Sequence, residues 1–247
     1  MQIKVEAGAG DRVTTNRWLN RLNPLLAANF SSHGQQPPPL YPGTFLPGTF
    51  VPFTDTPNRV LTLNEDFDEY GRLIQMMGSN EQLEPPNDVN NQGDPTWGRP
   101  YVSTPTETPS AGAVEVWQIL NTTADTHPMH FHLVNVQVLQ RQAFAGDPGN
   151  FTLGDPTPPD DNERGWKETV RMNPGEATTI MMQFTLPTLP AAMGNPTSPR
   201  TGGHEYVWHC HILEHEDHDM MRPVVVSQIP GGLGKSGFPR HVRGLSG

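Results

Sequence analysis

Six of the ten histidines in this chain fall into two short strings, His-Pro-Met-His-Phe-His at His127–His132 and His-Cys-His-Ile-Leu-Glu-His at His209–His215. The strings are far apart in sequence, so a fold that uses them together must lay two distant segments side by side. Pro128 biases His127 towards extended backbone. The strings also sit among short β-branched or aromatic runs bounded by turn residues: VEVWQIL, FHLVNVQVLQR, ATTIMMQFT, EYVWHC and PVVVSQ. With 27 Pro and 24 Gly the chain is punctuated too often for long helices. Strands that recur without intervening helical patterns predict an all-β fold, an antiparallel Greek-key sandwich or barrel rather than a βαβ sheet.

On a strand, residues two apart share a face, so His130 and His132 point one way, as do His209 and His211, while Cys210 points to the other side. One tripeptide thereby addresses two sites. A thiolate joined by imidazoles, with a thioether available, is the ligand set of a trigonal blue-copper centre with a weak axial Met, and Cys210, His127, His215 and Met220 can supply it. Structural zinc also takes Cys and His. It is the less favoured metal, because it leaves an unused imidazole on each side of the thiolate.

The two strings and Met220 resemble the carboxy-terminal cupredoxin domain of the multicopper oxidases. The longer string HCHILEHEDHDMMRP, with DEYGR at Asp68–Arg72 and GWKET at Gly165–Thr169, is most similar to the branch of bacterial spore-coat laccases, bilirubin oxidases and phenoxazinone synthases. The resemblance implies type 1 copper on His127, Cys210, His215 and Met220, a type 2 ligand in His130, and type 3 ligands in His132, His209 and His211. It implies electron entry at His215, transfer through Cys210 to its neighbours, and four one-electron oxidations coupled to reduction of dioxygen to water. Glu216 is the candidate proton relay, with Asp217 beside it; the plainer role for such a carboxylate is to orient a ligand imidazole. Members of the family complete a trinuclear cluster with two further HxH motifs from an amino-terminal domain. Those motifs are absent here, since His33, His204, His218 and His241 form no HxH pair. The expected partners are therefore an amino-terminal oxidase half, from the same precursor or a separate chain, or another subunit, together with a small reducing substrate and dioxygen.

Around that domain, residues 1–58 read as the end of a preceding domain and an extended linker, with a short helix over Arg17–Phe30 and a polyproline-like run over Pro37–Phe53. Residues 59–228 are the expected cupredoxin domain and 229–247 a flexible tail. RVLTLN at Arg59–Asn64 reads as a strand and the following EDFDEYGR as a turn. Loops are expected over Glu81–Thr108, Phe144–Gly165 and Pro187–Gly203. Met181, Met182 and Met193 read as core fillers, and Trp117, Trp166 and Trp208 as core or site walls. A net charge of −10 speaks against nucleic acid as a partner. No apolar run is long enough to span a bilayer, and the first residues lack signal-peptide order. A periplasmic, extracellular or spore-coat location is what the resemblance implies. Three other readings stay open: a single-site blue-copper electron carrier, a metal-binding structural domain and, more weakly, a copper nitrite reductase. A carrier has no need of His130, His132, His209 and His211.

Overall fold

The computed structural model describes residues 41, 50–83, 96–187 and 194–227. The chain divides into two compact units, Met1–Pro38 and Pro39–Gly247, and every described residue belongs to the second. The expected helix at Arg17–Phe30, most of the linker, Met193 and the tail lie outside the described residues. The strands in chain order are β1 (Arg59–Phe67), β2 (Leu73–Leu83), β3 (Thr96–Gly98), β4 (Val114–Asn121), β5 (His127–Phe131), β6 (Val136–Asp147), β7 (Asn150–Leu153), β8 (Trp166–Lys167), β9 (Thr169–Met172), β10 (Glu176–Gln183), β11 (His204–Cys210) and β12 (Met221–Val226). One five-residue helix, α1 (Leu213–Asp217), lies between β11 and β12.

Two sheets result. The larger runs β3-β2-β1-β4-β10-β6-β7, with β8 against β6, and the smaller runs β12-β11-β5-β9. Each keeps open edges, so the all-β fold expected from the sequence takes the form of a sandwich and not a closed barrel. In the larger sheet β4 lies parallel to β1 and antiparallel to β10, which buries nearly all of it. The core between the sheets is aromatic where it meets the histidine strings. Phe131 of β5 stacks on Trp208 of β11 at 5.8 Å, and Trp117 of β4 meets Trp208 edge-on at 5.7 Å. Phe131 follows His130 and Trp208 precedes His209, so burying these two rings fixes which face the histidines take; a slip of one residue would reverse it. Removing either Trp side chain would cost about 3–5 kcal/mol.

Several local expectations are corrected. The stretch taken as a loop over Glu81–Thr108 contains the end of β2 and all of β3. FHLVNVQVLQR is broken, because the chain turns after His132 through Leu133 at φ +70°. Phe144–Gly165 holds a hairpin, β6 against β7, and a 3-10 turn at Asp161–Glu163 whose Glu163 forms a buried ion pair with Arg141 at 2.6 Å. Met181 and Met182 are core, as are Trp117 and Trp208.

Candidate metal centres on two faces of one strand pair

β5 and β11 pair antiparallel with Trp208 opposite Phe131, His209 opposite His130 and Cys210 opposite Met129. Two backbone bonds lengthen this ladder, from His132 N–H to Val207 O at 3.0 Å and from His211 N–H to Pro128 O at 2.8 Å. Alternation does the rest. His127, Met129 and Phe131 are buried, while His130 leans to the other side.

On the buried side, His127 Nδ1 lies 3.5 Å and His215 Nδ1 3.7 Å from Cys210 Sγ, and the two nitrogens are 3.3 Å apart. The point equidistant from these three atoms is about 2.0 Å from each, close to the usual metal–nitrogen length. The three donors therefore fit one metal ion. His127 is held for that task from behind. Its Nε2 is 2.6 Å from Thr123 Oγ1, whose hydroxyl donates to Asn121 Oδ1 at 2.8 Å. A ring with its Nε2–H on Thr123 presents an Nδ1 lone pair to the pocket, the tautomer a ligand needs. Helix α1 swings His215 back over the strand end, with its N–H on Ile212 O at 3.0 Å, and Ile212 N–H points at Cys210 Sγ at 3.4 Å. Met220 is fully buried; its N–H donates to His215 O at 2.9 Å and its carbonyl accepts from Cys210 N–H at 3.0 Å. Burial, and then the nearby His215, push the His127 pKa down to about 4, and burial also lowers that of His215. Burial pushes the Cys210 thiol up. The imidazoles are thus ready as neutral ligands, whereas the thiol needs a cation to release its proton.

On the other side, His130, His209 and His211 offer nitrogens that all lie within 4.8 Å of one another. His132 joins them through Nε2, 3.3 Å from His209 Nε2. Here the Nδ1 atoms are the anchored ones, His130 on Glu168 O at 2.8 Å and His209 on Cys210 O at 3.0 Å. His209 is buried, while His132 and His211 are exposed. Glu216 Oε2 lies 3.3 Å from His209 Nδ1. Seven of the eight residues singled out as metal ligands thus fall into two groups on opposite faces, Met220 is buried and tied through its backbone to His215 and Cys210, and Glu216 sits against the outer group. Sequence reasoning missed Thr123 and Asn121, which look like ordinary turn residues, and missed helix α1.

A multicopper oxidase family model matches residues 75–229, and the chain belongs to that family. It is 37% identical to the laccase of Bacillus subtilis (strain 168) over 174 residues, 68% of this chain and 27% of that protein. Over 161 residues it is 35% identical to multicopper oxidase LPR1 of Arabidopsis thaliana, covering 56% of this chain and 27% of the relative. Among solved structures, the 2F4 variant of the McoA multicopper oxidase from Aquifex aeolicus matches at 26% identity and a TM-score of 0.42, over 68% of this chain and 29% of that one. The Bacillus match agrees with the bacterial laccase branch expected from the motifs. The aligned region spans little more than a quarter of these relatives' length.

Proposed function

We propose that this chain is the carboxy-terminal part of a laccase-like oxidase that takes single electrons from phenolic, aromatic or metal-ion donors and delivers them to dioxygen. The observation that carries this reading is the tripeptide His209-Cys210-His211, whose thiol belongs to the buried donor triangle while its neighbouring imidazoles belong to the outer cluster. A single-site electron carrier would gain nothing from that outer cluster, and unmatched imidazoles are costly to gather.

In this reading His127, Cys210 and His215 would hold type 1 copper, with the Met220 thioether as a weaker fourth donor. His130 belongs to type 2 copper, and His132, His209 and His211 to the type 3 pair. Copper bound there supplies the one-electron redox chemistry and the activation of dioxygen. The protein's own part is connection and proton supply. His215 is partly exposed at the surface helix and is the place for a donor to touch. A depression beside it is lined by Leu213, Glu214, Glu216, Asp217, His218 and Met221, an acidic rim that suits neutral or cationic donors. Cys210 is covalently continuous with both His209 and His211, so the two faces are joined through a few bonds. Glu216, against His209 Nδ1, orients that ring and can carry protons to the outer face. The remaining ligands come from an amino-terminal half bearing two HxH motifs, and the assembly works outside the cytoplasm.

Copper loading of the chain alone, and then with such a half, tests the proposal. The expected result is an intense thiolate-to-copper absorption from the chain alone and oxygen uptake only with both parts. A colourless copper-loaded chain would overturn it.

A further inference from the structure

The loop from Cys210 to Met220 ends on a residue in an uncommon conformation. Asp219 has φ +79°, and with Leu133 at +70° it is one of two non-glycine residues in the left-handed region among the described residues. Each adjoins a candidate ligand, His132 in one case and Met220 in the other. Such conformations persist only where the surroundings enforce them. For Asp219 the enforcing contact is visible: its Oδ2 accepts the backbone N–H of Tyr101 at 3.0 Å, from a segment more than a hundred residues upstream.

The same segment grips the other flank of Met220. Arg222 is fully buried, and donates through Nη1 to Pro100 O at 2.7 Å and through Nη2 to Thr104 O at 3.0 Å. Its guanidinium also lies 3.6 Å from the equally buried carboxylate of Glu107. Glu107 Oε1 accepts the indole N–H of Trp208 at 3.2 Å, and Trp208 stands opposite Arg222 in the β11–β12 register. Pro100–Glu107 is therefore a strap with one end on Asp219, the residue before Met220, and its body on Arg222 and Trp208, each two residues from a candidate ligand. Between these grips Cys210 N–H binds Met220 O.

We infer that the strap sets the position of Met220 relative to Cys210, with Asp219 as the positioning residue that transmits it. This inference rests on the type 1 reading above. A buried ionic clamp is an expensive way to hold a surface loop, and neutral packing of similar volume often serves as well. It is better suited to fixing a geometry, here the distance of a weak axial ligand on which a copper potential depends.

Three variants of the full chain, loaded with copper, separate tether from backbone strain. Asp219→Asn keeps an acceptor for Tyr101 N–H and tolerates the left-handed backbone. Asp219→Gly tolerates the backbone but has no tether, and Asp219→Ala has neither. Thiolate absorption, copper hyperfine coupling and reduction potential are read beside copper content and thermal midpoint. The expected result is a wild-type spectrum and potential for Asn, and shifts in both for Gly and Ala at unchanged copper content. Should Ala fail to fold, Gly decides. Gly matching wild type in spectrum and potential, even with a lowered midpoint, would reduce the strap to a stability device and overturn the inference. Asn shifting as far as Gly would overturn it too. A wild-type chain without the thiolate band is a different failure, that of the type 1 reading itself.

Discussion

The buried triangle and the outer histidine face share two strands yet are built on opposite principles. In the triangle both imidazoles present Nδ1, His127 is braced through Nε2 by Thr123, and three donors already enclose a point at bonding distance. On the outer face His130 and His209 are braced through Nδ1, His209 and His132 meet through Nε2, and half of the four rings are exposed. The three donors of the first group all come from this chain. The second is looser, its His130, His209 and His211 nitrogens lying within 4.8 Å of one another, an openness that suits the proposed sharing of this face with a partner. The difference teaches that a strand pair can present two unlike donor groups on its opposite faces when a buried aromatic register, Phe131 on Trp208, fixes which face each side chain takes.

The largest expected effect breaks the triangle alone. Cys210→Ser should abolish the intense thiolate-to-copper band while leaving the outer histidines in place, as absorption and paramagnetic resonance of the loaded protein would record. A band that survives in this variant would move the thiolate reading elsewhere. Next comes the shared face: the chain alone should hold fewer coppers than a complete oxidase and show no measurable oxygen uptake. His211→Ala should keep the blue band yet prevent a partner from restoring uptake. Full turnover by the purified single chain would mean that histidines are shared between identical subunits.

A smaller effect tests the brace. Thr123→Val removes the hydroxyl behind His127 at nearly constant volume, and copper affinity at the triangle should fall about 10–100-fold, the usual cost of losing such a partner. Competition with a chelator measures it, and an unchanged affinity would show that packing alone orients the ring. Met220→Leu should retain the copper and raise its reduction potential, because losing a weak donor favours Cu(I). A lower potential in a redox titration would point to Met221 instead.

The legible part of this molecule is the part governed by a period of two. His130 with His132, and His209 against Cys210, declare their faces by alternation, and the structure places them so. What stayed hidden depends on contacts between distant segments. The strap from Pro100 to Glu107 reads as a polar loop because its meaning lies in Asp219, Arg222 and Trp208, far along the chain. Thr123 and Asn121 read as turn formers, since local pattern cannot reveal that one faces His127 Nε2. β2 escaped notice for a related reason: Met77 is buried in a core built with residues of the other sheet, and IQMMGSNEQ lacks the clean alternation of a strand with one wet face.

The last prediction uses pH to weigh the two faces in the metal-free protein. Burial holds His127 down to about 4, and it lowers His130 and His132 as well. A folded-state value below the unfolded one, near 6.5, means that the unfolded chain binds more protons throughout the window between them. Stability of the apoprotein should then rise with pH from about 4 to about 6.5, and be lost progressively as pH falls through that window. The triangle should own most of this slope, because His127 is fully buried whereas His132 is exposed. Replacing His127 by Gln should flatten the profile of thermal midpoint against pH, and the same change at His132 should leave it nearly as it was. Equal flattening by the two variants would show that the outer face is as desolvated as the inner one, and would remove the physical distinction between the two donor groups.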